Sequence, residues 1–151
     1  MIYIASDHRG FEIKQKILRD HPDYLDLGPR AYNPEDDYND YAVSLATTLR
    51  DASTATPAAE PPNFGIIICG SAHGVTIQAN RFKGIRAIIG LNTALTKVGR
   101  EHNNANVLCL SADFTPEEDI PEIIDVFLNT KTKTDEKYAR RNIKLDKYGE
   151  N

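Results

Sequence analysis

The chain is expected to be an α/β protein, a three-layer arrangement with a central parallel sheet of about five strands and helices on both faces. Three features predict this. Short apolar runs alternate with longer segments of helical spacing along the chain. The runs FGIIIC (64–69), IRAIIG (85–90) and NVLCL (106–110) are largely apolar at consecutive positions, as in strands covered on both faces. Turn-forming residues stand where strands give way to helices, GSAHG (70–74) most clearly.

The elements follow in order. IYIAS (2–6) is the first strand, and Gly10 to Asp20 is a helix with Phe11, Ile13, Ile17 and Leu18 at mostly helical spacing. YLDLG is a short strand ending at Gly28, and the polar stretch 29–40 with its two prolines is a loop. Tyr41 to Arg50 is a helix whose Ala42, Leu45, Ala46 and Leu49 share one face. Small residues and three prolines make 51–63 an internal loop. It is not read as a domain boundary, because the ~50 residues before it are few to stand alone. After the strand 64–69, Val75 to Phe82 is a helix, 85–90 a strand, Asn92 to His102 a helix and 106–110 a strand. Pro116 marks a helix start, and the apolar stripe of 120–128 follows, with Pro121 tolerated in its first turns. The tail is charged, with Tyr138, Ile143 and Leu145 as apolar anchors. Residues 1–151 are expected to form a single domain.

Composition excludes several classes. At 40% apolar and 26% charged, 151 residues can bury a core without disulfide staples. The longest apolar run, Ile66 to Cys69, is far short of the ~20 residues of a membrane span. MIYIASDHRG lacks the basic and apolar segments of a signal peptide, and two cysteines inside strand-like runs fit a reducing, cytoplasmic setting without a disulfide framework. A net charge of −4 disfavours broad nucleic-acid binding while leaving room for a small basic pocket.

In a parallel sheet, ligands sit at the carboxyl ends of the strands. Those ends are Ser6-Asp7-His8, Cys69 to Gly74, and the residues around Leu91 and Ser111. In the second, Gly70 and Gly74 let the backbone turn tightly, and a following helix N-terminus suits an anion. The same field is expected to lower the Cys69 thiol below its ordinary pKa of ~8.5. Cys69 as merely the last core residue of its strand is the other reading. A tyrosine-phosphatase loop needs an arginine where Val75 stands, and G-x-x-x-G does not fit the dinucleotide pattern. Asp7-His8 suits sugar hydroxyls and phosphate, or simply caps the helix near Gly10. His102, within Arg100-Glu101-His102-Asn103-Asn104, suits proton shuttling on oxygen, or marks a solvated helix end. Lys137, Arg140, Arg141 and Lys144 suit phosphate, or form a solvated helix face. His73 stands inside the strand-end loop, within reach of a ligand there, and no spacing matches a structural zinc site.

Five motifs occur in order over residues 1 to about 110: Asp7-His8-x-Gly10; Asp37-Tyr38-x-x-Tyr41-Ala42; Ile-Cys69-Gly-Ser71-x-x-Gly74; Ala79-Asn80-x-x-x-Gly84-Ile-Arg86-Ala87; and Arg100-x-His102-Asn103-x-Ala105-Asn106-Val107-Leu108. Together they resemble the ribose-5-phosphate isomerase B family, which includes the galactose-6-phosphate isomerase subunits. The resemblance implies a Rossmann-like subunit, paired as a homodimer or a dimer of dimers. Its active sites would draw residues from both chains, with the tail from about 130 packed on the partner subunit. It implies interconversion of aldose and ketose sugar phosphates through an enediolate, without metal or cofactor, with ribose 5-phosphate and ribulose 5-phosphate the default pair. A hexose 6-phosphate isomerase of galactose or allose type, and a non-catalytic sugar-phosphate binder, are the alternatives. One branch of the family uses a cysteine at position 69 as the carbon base and another a glutamate where Val75 stands here, so this chain resembles the cysteine branch.

By the same resemblance, Ser71 would assist, and N–H groups from Gly70 to Gly74 would hold the enediolate oxygen. His102 would help open the sugar ring, Asp7 would contact ring oxygen or hydroxyls, Asn103 would bind a substrate oxygen and His8 would lie near the phosphate. The chain departs from the family in three places. Asp113 stands where an arginine is usual; Lys137 replaces the first arginine of the tail motif while Arg141 is retained; Ala72-His73 replaces glycine and a small or apolar residue. An acid is a poor neighbour for a phosphate, and His73 and Lys137 are the expected compensating cations.

Overall fold

A computed structural model describes residues 1–55 and 63–147. The strands are β1 (Ile2–Ser6), β2 (Leu25–Asp26), β3 (Phe64–Cys69), β4 (Ala87–Ile89) and β5 (Val107–Ser111). The helices are α1 (Phe11–Asp20), α2 (Tyr38–Ala55), α3 (His73–Ala79), α4 (Thr93–Asn103), α5 (Ile120–Asn129) and α6 (Glu136–Leu145), with a 3-10 turn at Glu117–Asp119 leading into α5. The sheet order is β2-β1-β3-β5-β4, and every pairing is parallel. The expected α/β architecture is therefore the one adopted.

The alternation of a pleated strand explains the consecutive apolar run. Ile67 and Cys69 point to the face packed by Leu45 and Leu49 of α2 and Val75 and Ala79 of α3. Ile66 and Ile68 point to the face packed by Ile13 and Ile17 of α1 and Ile123 and Phe127 of α5. Cys109 and Leu110 of β5 repeat the division. Two opposite cores leave these strands no solvated face, so no polar alternation survives in the sequence.

Several boundaries differ from expectation. α2 begins at Tyr38 and runs to Ala55, so the first residues of the anticipated 51–63 loop are helical; residues 56–62 lie outside the described residues. Ala52 packs on the core, and the Ser53 hydroxyl donates to the Leu49 carbonyl at 2.8 Å, which keeps these small residues within the helix. α3 stops at Ala79 because Asn80 turns its side chain to β4, donating to the Ala87 carbonyl and accepting from the Ala87 N–H, both at 2.9 Å. The tail forms α6, and two of its three expected apolar anchors are exposed. Tyr138 and Asn142, four residues apart, face α4; Ile143 falls off that face and is 62% exposed, and Leu145, in line with Tyr138 but in the last turn, is 51% exposed. Among the described residues no helix is long and apolar enough to cross a membrane.

From β1 the chain first places β2 on one side, then returns to lay β3 on the other. The carboxyl ends of β1 and β3 thus flank the switch point, the crevice where parallel sheets of this kind bind ligands.

Candidate active site

Asp7 leaves β1 and Cys69 ends β3, and the two strand ends are joined directly: the Asp7 N–H donates to the Ile68 carbonyl at 3.1 Å. The Asp7 carboxylate, nearly buried, accepts the backbone N–H groups of Arg9 and Gly10 at 2.9 and 3.1 Å. It therefore does hold the start of α1, one of the two readings of this residue, and it also faces the Cys69 thiol.

Cys69 is 8% exposed and unpaired. Its thiol pKa is pushed up to about 12, first by burial, then by hydrogen bonding to Asp7 and by the negative charge of that residue. The N–H groups of Ala72 and Gly70 act in the opposite direction and are outweighed. The expectation of a lowered thiol is thus corrected. The backbone donors are present where the sequence places them, but desolvation and a neighbouring carboxylate hold the proton on sulfur.

The loop after Cys69 turns on Ala72, buried at φ +64°, a left-handed conformation that costs an alanine about 1 kcal/mol. This bend leads into α3. The His73 N–H reaches the Ser71 hydroxyl at 3.4 Å, and the His73 ring Nδ1 lies 3.1 Å from the Ser71 carbonyl. Ser71 is half-buried and His73 exposed. Gly74 has a steric reason: a Cβ there would stand 2.6 Å from the Tyr38 ring, which covers the loop.

His8 is fixed by Asp36. Its Nδ1 lies 2.7 Å from Asp36 Oδ1, and its backbone N–H donates to the same oxygen at 3.1 Å. Asp36 is nearly buried and His8 about a quarter exposed, so the remaining ring nitrogen, Nε2, is the one left to serve a ligand. Burial and Asp36 together raise the pKa of the neighbouring Tyr41 hydroxyl.

Asp7, His8, Cys69, Gly70, Ser71, His73 and Gly74 therefore gather at one edge. His102, Asn103, Lys137 and Arg141 do not join them. α4 runs back along the sheet, so its last residues lie beside the start of β5: the Asn106 N–H donates to the Arg86 carbonyl at 3.0 Å, and the Ala105 N–H to Gly99 at 3.3 Å. Cys69 pairs with Ser111 at the far end of β5. His102 stacks on Tyr138, ring centroids 4.4 Å apart, and its carbonyl accepts from the Asn142 side chain at 3.2 Å. Lys133 and Glu101 pair at 3.2 Å, and Lys137 Nζ lies 4.8 Å from the Tyr138 ring centroid. The tail expected to pack on a partner subunit rests here on α4 of its own chain. Arg100 is structural: buried between Phe64 and Phe127, it donates to the Phe127 and Ala105 carbonyls.

Sequence reasoning missed Arg9, Asp36 and any role for Tyr38. Asp36 lies in an aperiodic polar loop among other acids, and nothing but tertiary contact singles it out. Among the described residues no cluster of three or more His, Cys, Asp or Glu is arranged to hold a metal ion.

A parallel α/β subunit that brings a thiol, a carboxylate and an oriented imidazole to its switch point is laid out as an enzyme for a small polar ligand. The profile of the ribose/galactose isomerase family matches residues 2–145. A probable ribose-5-phosphate isomerase B of Mycoplasma pneumoniae is 42% identical over 135 residues, covering 86% of this chain and 83% of that protein. The crystal structure of ribose-5-phosphate isomerase B from Mycoplasma genitalium with bound ribulose-5-phosphate superposes with a TM-score of 0.84 at 34% identity, covering 97% of this chain and 93% of that one. The enzyme from Thermotoga maritima superposes with a TM-score of 0.82 at 35% identity, covering 97% of each chain. The chain belongs to the ribose/galactose isomerase family and is an isomerase.

Proposed function

We propose that the protein interconverts ribose 5-phosphate and ribulose 5-phosphate, with Cys69 moving the proton between C2 and C1. The observation that carries this is the placement of the Cys69 thiol between a carboxylate, Asp7, and the backbone N–H groups of Gly70 and Ala72. Asp7 accepts the thiol proton, leaving a thiolate beside two donors. The thiolate takes the proton from C2 of the aldose, the electron pair forms the enediolate, and the same sulfur returns that proton to C1 while an oxygen-bound proton passes from O2 to O1. Asp7 then gives its proton back to sulfur. Backbone donors aimed at developing oxyanion charge contribute a few kcal/mol each, on the order of 10²–10³ in rate. Ser71 assists at the loop, and the free nitrogen of His8 serves the phosphate end.

The second half of the site comes from a second copy of the chain. His102 and Asn103, as ring-opening and oxygen-binding groups, and Lys137 and Arg141, as phosphate cations, are out of reach of Cys69 in their own chain. Leu95, Val98 and His102 stand at i, i+3 and i+7 on α4, and Leu95 and Val98 are 53% and 44% exposed. A homodimer that covers this stripe carries His102 into the covered face, completing two composite sites. Two buried, unpaired thiols fit a reducing cytoplasm.

Steady-state isomerisation tests the reading. Ribose 5-phosphate is expected to be turned over in preference to galactose 6-phosphate and allose 6-phosphate. No turnover of the pentose phosphate by the pure protein overturns the assignment, and preference for either hexose replaces the substrate.

A further inference from the structure

Asp113 would set a carboxylate against an incoming phosphate, and the structure pairs it with Arg9. Arg9 Nη2 donates to Asp113 Oδ1 at 2.5 Å. Asp113 is anchored to the catalytic loop, its N–H donating to the Gly70 carbonyl at 3.1 Å. Its carboxylate and the arginine stem crowd Gly70: a Cβ at this glycine would lie 3.0 Å from Asp113 Oδ2 and 3.5 Å from Arg9 Cγ. The other end of Arg9 is tied down as well, since its backbone N–H donates to Asp7 at 2.9 Å. The arginine is thus fixed at its root by the acid that faces Cys69 and at its head by the acid that abuts Gly70.

Stability does not explain this arrangement. The two side chains are 54% and 34% exposed, and pairs so open to water contribute little to folding. Chemistry explains it better. Asp7 and Asp113 flank the loop, Asp36 lies behind His8, and the neighbouring histidines carry charge only when protonated. Arg9 is a permanent cation in contact with the loop, and Lys137 and Arg141 are at the far end of the chain. A guanidinium has five N–H donors. Among the described residues this one makes no hydrogen bond other than that to Asp113, so its remaining donors are available to an oxyanion in the crevice.

We propose that Arg9 binds the substrate phosphate from the chain's own half of the site, and that Asp113 is the positioning residue that holds its guanidinium over Gly70. The proposal rests on the sugar-phosphate reading above, and its test separates the two. Arg9→Ala removes the ligand and also bares the Asp113 charge, so the KM for ribose 5-phosphate is expected to rise about 10- to 100-fold with kcat within about threefold. Arg9→Lys keeps the charge without the fork and is expected to fall between. Arg9→Ala/Asp113→Ala is expected to recover only the part of the loss due to the bare carboxylate; the KM that stays raised reads the lost phosphate contact, and a merely charge-neutralising pair recovers fully. Calorimetric titration of wild type and Arg9→Ala with inorganic phosphate reads the same contact without turnover, and weaker binding by the variant is expected. Wild-type turnover with KM and phosphate affinity unchanged within about twofold in Arg9→Ala overturns the proposal and leaves the isomerase reading intact. Absence of wild-type turnover with Arg9-dependent phosphate binding does the reverse, and phosphate binding that ignores Arg9 overturns the proposal in either case.

Discussion

Cys69 and Asp7 leave neighbouring strands and face each other, whereas His102 lies beyond the opposite end of β5, a strand that alone spans about 13 Å. The two regions are held by different forces. At the carboxyl edge, backbone hydrogen bonds between strand ends set the positions: Asp7 to Ile68, Ala112 to Cys69 at 2.9 Å, and the Ser111 hydroxyl to the Gly70 carbonyl at 2.6 Å. At the α4–α6 end, a ring stack, a side-chain amide and an exposed ion pair hold the candidate groups on a helical surface. The first region is preorganised by sheet register and has a buried thiol with its proton held on sulfur. The second has rings and cations half in solvent, and among the described residues the thiol is at the other end of the strands. One end is thus preorganised around a buried thiol, whereas the other displays its candidate groups on a helical surface, and the homodimer proposed above is what would bring the two together.

The largest effect is expected at Cys69. Cys69→Ala is expected to lower kcat by about 10²–10⁴-fold while ribose 5-phosphate binding, read by calorimetry, stays nearly constant. A Cys69→Ala enzyme with wild-type turnover would falsify the mechanism outright.

Mixing two dead proteins tests the division itself. His102→Ala is also expected to lose activity, by about 10²-fold. Exchanging its subunits with those of Cys69→Ala is expected to restore roughly one quarter of the wild-type sites, since half of randomly paired dimers are mixed and each rebuilds one intact site. No recovery, under conditions where mass spectrometry shows mixed dimers, would place both groups in one protomer's site.

Lys14 sharpens the claim that the carboxyl edge is tied by buried bonds. This lysine is fully buried, donates to Asp26 at 2.6 Å and to the Pro29 carbonyl at 2.7 Å, and has its pKa lowered by burial against the raising effect of Asp26. Lys14→Met is expected to cost about 2–4 kcal/mol in urea denaturation, somewhat less than breaking a fully buried pair because Asp26 retains some solvent. It strands the Pro29 carbonyl in the connection that leads to Asp36.

The smallest effect is on thiol reactivity. With a pKa near 12, Cys69 is ionised to about one part in ten thousand at pH 8, so alkylation by iodoacetamide is expected to be slow and to quicken as pH rises. Asp7 raises that value by hydrogen bond and by charge, so Asp7→Asn is expected to lower it and speed alkylation several-fold, even as isomerase activity falls. Burial, the larger cause, remains in the variant. An alkylation rate unchanged in Asp7→Asn would show that the carboxylate does not bear on the sulfur.

Much of this was readable in the amino-acid order for local reasons. Consecutive apolar residues at 64–69 require a strand covered twice, and a turn of small residues after it must expose backbone N–H groups. The positions of Asp7, His8 and Cys69 at strand ends follow from that pattern with the rule for parallel sheets. Asp36, Arg9 and the direction of the Cys69 pKa were not readable. Asp36 acts on His8 from 28 residues away, and Arg9 meets Asp113 across 104. The thiol pKa was misjudged because the donors that lower it are local in sequence, while the burial and the carboxylate that raise it come from other strands and helices.

Periodicity and turn chemistry alone determined that this chain builds a parallel sheet between helices and places acid, imidazole and thiol at strand ends, because both act over a few residues. Which groups touch was decided by tertiary structure. Strand order set Asp7 beside Cys69, and the returning course of α4 carried His102 away from them, since the sum of many weak long-range contacts selects one topology that no single segment encodes.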